Sequence, residues 1–288
     1  MALALAACSG QADRTAPEAN PPAVVAEAPS PTATATATPP PTPTPTATPL
    51  PTATPTPTET PSPTPTATPT PTPEPAAGRP PASPDIVYIG TPTAPDGRPQ
   101  VNISFDVEGD PELLYQILDI LDQFGYRTTF FLQGAWVQQY PEATKRIAER
   151  GHELGNHSWT HKDFKPMTAE EVAKELLDTE ALVLELTGVT TKPYFRPPFG
   201  SRSEISVPTA YQLGWTTIIW TYGSEDWRPG ATAQTIYDNV FGNAMPGALY
   251  YMHTSRQINV DSLPRLLKAF QDAGYALVSM GEILGGPQ

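Results

Sequence analysis

Val101–Leu132, VNISFDVEGDPELLYQILDILDQFGYRTTFFL, decides the fold. VNISF is a short run of apolar and β-prone residues and reads as a strand. From Pro111 the period changes: Leu113, Ile117 and Leu121 recur on one helical face, and Gly125 supplies the stop. RTTFFL then reads as a second strand. Two strands joined by a helix imply parallel pairing through a crossover. The first strand runs out into Asp106, Glu108 and Asp110, three acids within five residues, which repel one another unless a cation faces them.

The same alternation continues downstream. PEATKRIAERG is a helix opened by Pro141 and closed by Gly151, and Thr168 with Glu171 forms a capping box for a helix running to about Leu186. There follow YFRPPF, a helix near VPTAYQLG, the strand TTIIWTY, the helix TAQTIYDNVF, the strand ALYYMH, the helix SLPRLLKAFQDAG and a last strand ALVSM. Regular alternation implies an α/β fold with a parallel sheet, and this many units implies closure into a (β/α) barrel. Chemistry in such folds collects at the carboxyl ends of the strands. The residues there are Asp106 and Glu108, His157 and His161, Arg196, Asp226 and His253, which include three of the four histidines of the chain.

In NHSWTH, His157 and His161 stand four apart, a spacing that on a helical turn aims both imidazoles the same way and suits Zn²⁺. A carboxylate from a neighbouring strand end would complete two nitrogens and one oxygen, with a position left for water. The acids of SFDVEGD are therefore expected to face a metal.

The chain has 288 residues, but 26 of its 38 prolines precede Arg98. Residues 11–84 are built mainly of Pro, Thr and Ala, cannot bury enough apolar surface to offset ordering, and are expected to be a disordered, semi-rigid polyproline linker. Residues 85–288 are expected to form the one folded domain, which carries the candidate site. The only Cys, Cys8, lies in residues 1–10, where Leu5-Ala6-Ala7-Cys8 resembles a bacterial lipobox and reads as the remnant of a lipoprotein signal. A lone Cys excludes an internal disulfide framework. From Arg98 onward 23 acidic and 15 basic residues argue against nucleic acid as a partner.

TTFFLQGAWVQQYPEATKRIAERGHELGNHSWTH resembles the second motif region of the polysaccharide deacetylases, the NodB-homology family of carbohydrate esterases, and further motifs follow in that family's order from Val101 to Leu284. The resemblance implies a distorted (β/α) barrel, a divalent metal (zinc, with cobalt or nickel as alternatives) and hydrolysis of acetyl groups on a polysaccharide. By it, His157 and His161 bind the metal and Asp106 is the catalytic base. The family's second Asp, normally the third metal ligand, is here Val107, so Glu108 takes that place. FRPPF implies that Arg196 pairs with Asp106 and that the N–H of Phe199 serves the oxyanion hole. SEDW keeps Asp226 and Trp227 but has Gly223 where the motif has an earlier Asp. Asp226 would raise the pKa of His253, the general acid of ALYYMHTS, and Trp227 would offer a flat wall to the sugar or its acetyl methyl.

The expected substrate is an N-acetylglucosamine-containing polymer: peptidoglycan, a chitin-like glycan or poly-N-acetylglucosamine. An O-acetyl xylan esterase, a hydrolase of small C–N substrates and an inactive carbohydrate-binding relative stay open. The protein is expected to be an extracytoplasmic monomer, touching a membrane only through a lipid at Cys8.

Overall fold

The computed structural model describes residues 79–285. The expected signal remnant, Cys8 and most of the expected linker lie outside the described residues.

Strand β1 (Gln100–Val107) is buried along its whole length, because it is central and covered on both faces. Its odd residues, Val101, Ile103, Phe105 and Val107, join the main apolar core under the helices. The even ones face the barrel interior, where Asn102 donates to the Val278 carbonyl at 2.8 Å and Ser104 to that of Tyr250 at 3.0 Å. This period of two puts Asp106 at the interior end of the strand and keeps Val107 in packing.

The chain continues through α1 (Pro111–Gln123), β2 (Thr129–Leu132), α2 (Gly134–Gln139), α3 (Pro141–Glu149) and β3 (Glu153–Asn156). Next come α4 (Ala169–Thr187), β4 (Tyr194–Phe195), a 3-10 turn at Pro198–Gly200, α5 (Ser206–Gln212), β5 (Thr216–Thr217) and β6 (Tyr222–Gly223). The last elements are α6 (Ala233–Val240), β7 (Leu249–His253), α7 (Gln257–Asp272), β8 (Ala276–Leu277) and α8 (Met280–Ile283). All strand pairs are parallel, in the order β5-β4-β3-β2-β1-β7-β6, with β8 beside the start of β1. The expected barrel is thus present.

It is distorted because β5 and β6 do not pair with each other. An extended stretch before β1 fills the gap: Val87 bridges Ile218 and Ile89 bridges Ala248. Thr221 also donates its hydroxyl to the Tyr88 carbonyl at 2.6 Å. TTIIWTY, expected as one strand, is therefore two short ones, since Ile218 gives its pairing to Val87. Arg79 fastens the start of this stretch. Its guanidinium donates to the carbonyls of Thr190 and Lys192 at 2.7 and 2.6 Å, by the amino ends of β3 and β4, and lies 5.2 Å from the Tyr194 ring centre.

Other departures are local. The buried stripe of α1 is Leu114, Ile117, Leu118 and Leu121, with Leu113 only half-buried. Helix α7 begins at Gln257, ahead of the expected Ser262, and Pro264 sits inside it. The capping box of Thr168 and Glu171 starts α4 as expected.

Candidate active site

Asp106, Glu108, His157, His161 and His253 line one cavity of about 220 Å³ at the carboxyl ends of the strands. It opens into a larger hollow of about 580 Å³ walled by Phe199, Trp220, Trp227 and Tyr251 among others.

Arg196 organises the dry side. It follows β4, is wholly buried, and donates to Asp106 Oδ1 at 2.7 Å and to Ser104 Oγ at 2.8 Å. Its guanidinium lies 3.9 Å from the Phe131 ring centre. Burial pushes the Asp106 carboxyl upward, but the charges of Arg196, His157 and His253 outweigh it and hold the group below its ordinary range. Asp106 Oδ2 stays free of hydrogen bonds, 3.8 Å from His157 Nε2.

The two histidines do not lie on a helical turn, as their spacing suggested. They sit on a loop after β3 in which Ser158 and His161 take φ values of 67° and 58°. The spacing still works, and the rings stand 5.0 Å apart. Glu175 of α4 holds the loop, accepting from the Trp159 N–H at 2.8 Å and from the Thr160 N–H and hydroxyl, both at 2.7 Å. Sequence reasoning missed Glu175, because nothing in the local sequence distinguishes it from the other acids of that helix.

The chemistry of the pair suits a divalent cation. His157 Nδ1 is 2.7 Å from the Arg196 carbonyl, which can only accept, so Nδ1 carries the proton and the Nε2 lone pair faces the cavity. Burial, against the pull of Asp106, drives the His157 imidazole down to about 4 and keeps it neutral at pH 7. Burial likewise lowers His161. The third position is less complete. Glu108 accepts a hydrogen bond from the Ser255 hydroxyl, and among the described residues no three His, Cys, Asp or Glu side chains close into a ligand set.

On the opposite side, His253 ends β7. Its Nδ1 donates to Asp226 Oδ1 at 2.7 Å and its backbone N–H to Asp226 Oδ2 at 2.8 Å, which leaves Nε2 for the cavity. Burial opposes protonation of His253, yet the hydrogen bond and charge of Asp226 raise its pKa above the ordinary value. Asn259 of α7 also donates to Asp226 Oδ2. A helix read from Ser262 left Asn259 outside, so its part was not anticipated.

Phe199 takes a positive φ of 58° in the 3-10 turn, is 72% exposed, and sets its ring edge-on to His161 at 4.8 Å. Trp227 is 48% exposed on the cavity wall. Seven of the nine residues singled out in the sequence thus line the two adjoining cavities, and the other two, Arg196 and Asp226, stand behind them on Asp106 and His253.

The family profile described as polysaccharide deacetylase matches residues 93–218. A peptidoglycan-N-acetylglucosamine deacetylase of Bacillus cereus is 31% identical over 192 residues, covering 65% of this chain and 69% of that protein. This chain belongs to the polysaccharide deacetylase family. A second family relative, the peptidoglycan-N-acetylmuramic acid deacetylase PdaA of Bacillus subtilis, is 30% identical over 186 residues, covering 64% of this chain and 71% of PdaA. The solved structure of PdaA superposes with a TM-score of 0.64 at 28% identity, covering 70% of this chain and 85% of that one. A Bacillus anthracis member described as a pseudoenzyme fits as well, with a TM-score of 0.65 at 30% identity, covering 70% and 69%. Family likeness alone therefore does not separate active from inactive members, and the side chains must.

Proposed function

We propose that this chain hydrolyses the N-acetyl group of amino sugars in peptidoglycan, releasing acetate and leaving a free amine on the sugar. The observation that carries the reading is the pairing, across one cavity, of an ionised carboxylate with a free oxygen and a histidine poised to stay protonated. A binding protein without catalysis has no use for that pair.

His157 and His161, with Glu108 as the oxygen ligand, would hold a divalent cation, for which zinc suits the nitrogen-rich set. When bound, such a cation supplies Lewis acidity that draws the pKa of water toward ~7. Asp106 Oδ2 takes the proton of the attacking water, while Arg196 prevents the carboxylate from rotating away or staying neutral. The N–H of Phe199 follows two prolines, which carry none, and donates to the oxyanion of the tetrahedral intermediate. His253 Nε2 then gives its proton to the leaving nitrogen, without which an amide nitrogen departs poorly. Trp227 and Phe199 present flat apolar surface to the sugar.

Relatives named for peptidoglycan chemistry support action outside the cytoplasm, and a lipid on Cys8 is the attachment we propose from the Leu5-Ala6-Ala7-Cys8 stretch. Among the described residues no helix is long and apolar enough to cross a membrane. The test is acetate release from peptidoglycan and from N-acetylglucosamine oligomers, with metal content measured on the same sample. Activity lost on chelation and restored by zinc is the expected result. No acetate from any acetylated glycan by the metal-loaded protein would leave a pseudoenzyme.

A further inference from the structure

The Phe199 turn leaves one donor open. The N–H groups of Gly200 and Ser201 go to the carbonyls of Pro197 and Pro198 at 3.0 and 2.9 Å, and the Arg196 carbonyl is taken by His157. Among the described residues the Phe199 N–H has no partner. This arrangement is strained: Phe199 holds a φ of 58°, in the left-handed region that residues other than glycine rarely adopt, and such a conformation persists only where its surroundings impose it. Underneath, a Cβ on Gly200 would stand 3.0 Å from the Trp220 ring, so the turn sits directly on that indole. From outside it is held by Arg202.

Arg202 forms no ion pair among the described residues. Its guanidinium donates instead to the Gly200 carbonyl and to the Tyr88 hydroxyl, both at 2.7 Å, with its centre 5.5 Å from the Tyr88 ring. Tyr88 belongs to the extended stretch that fills the gap between β5 and β6, and its backbone is pinned from both sides of that gap. The Val87 N–H donates to the Thr217 carbonyl at 2.9 Å, the Val87 carbonyl accepts from the Ile219 N–H at 2.8 Å, and the Tyr88 carbonyl accepts from the Thr221 hydroxyl at 2.6 Å. A planar fork with donors in fixed directions joins a carbonyl and a phenol in one rigid link, which an ammonium on a flexible stem cannot do.

We propose that Tyr88 and Arg202 are positioning residues: through them the stretch that fills the gap sets the Phe199 turn, and with it the direction of the N–H assigned to the oxyanion. This rests on the deacetylase reading above. Neither residue touches the substrate in this role. An oxyanion donor matters only as charge develops on the acetyl oxygen, so a turn free to swing lowers kcat and leaves the binding of ground-state substrate alone. The segment that completes the barrel wall therefore also finishes the site.

The experiment compares the zinc-loaded full chain with Tyr88→Phe, Arg202→Lys and the double variant, on peptidoglycan and on N-acetylglucosamine oligomers. Tyr88→Phe removes one hydroxyl and keeps the ring and the backbone bonds of the stretch, whereas Arg202→Lys keeps the charge and loses the fork. Each is expected to lower kcat by about 10-fold with KM nearly unchanged, short of the ~10²- to 10³-fold that outright removal of an oxyanion donor costs. The double variant should lose no more than the worse single one, because both cut the same link. Hydrogen exchange at the Gly200 and Ser201 amides, followed by NMR, should quicken in all of the variants. Unchanged kcat, a loss carried by KM, or losses that multiply in the double variant overturns the proposal and leaves the deacetylase reading in place, as does a fall in kcat with those amides exchanging as before. Wild-type protein that releases no acetate from either substrate sinks the deacetylase reading instead. The exchange rates then decide the link alone: quicker exchange in the variants supports it, and unchanged rates overturn it.

Discussion

Asp106 and Asp226 are both buried acids, one lining the small cavity and the other behind the His253 that lines it, and their partners make them opposite tools. Asp106 faces a permanent cation, Arg196, through one oxygen and keeps the other free. Asp226 has both oxygens occupied, one by His253 Nδ1 and the other by the His253 N–H and Asn259. The first can accept a proton from water; the second can act only through the histidine it charges. Asp106, held below its ordinary range, and His253, raised above its own, are then two titratable groups pushed apart by their surroundings, as acid–base catalysis at neutral pH requires.

Asp106→Asn attacks the comparison at its strongest point. The amide still fills the site but has no proton affinity, and acetate release should fall by about 10³-fold, within the range for general-base removal. A loss below tenfold would mean that another group accepts the proton. His253→Gln should cost about 10²-fold on an amide substrate. The same variant should lose much less on an O-acetyl ester, whose alkoxide leaves with less help. Equal losses on ester and amide would show that His253 does something other than protonate the leaving group.

Asp226→Asn sharpens the contrast through pH. His253 works protonated, so activity falls as pH rises through its raised pKa, and Asp106 works ionised, so activity falls as pH drops through its lowered one. Removing the Asp226 charge should carry the alkaline limb of the kcat profile to lower pH and leave the acid limb where it was. An unmoved alkaline limb would assign it to a different group. The smallest effect belongs to Glu175→Ala, which frees the histidine loop. A few-fold weaker zinc affinity is expected by equilibrium dialysis, and full affinity would show that the loop holds its shape unaided.

What the sequence revealed about this molecule depended on how local each signal was. Strand β1 and the capping box of α4 are written in consecutive residues, and both were legible. Strand β3 was not, because GHELGN shows neither alternation nor an apolar run. Its Gly155 is there to admit a neighbour: a Cβ would stand 2.6 Å from the Phe131 ring. The split of TTIIWTY depends on Val87, far back in the chain, which no window around Ile218 contains. In the site, residues that end strands could be found by position, whereas Glu175 and Asn259 reach it from helices and needed the tertiary fold.

The Arg79 clamp has a mechanical corollary. Traction applied from upstream meets the domain at the floor of the barrel, where three backbone oxygens within hydrogen-bonding range share the load. The cavities that hold the site residues lie at the far end of the same strands, so Arg79 is fastened on the side of the domain away from the site.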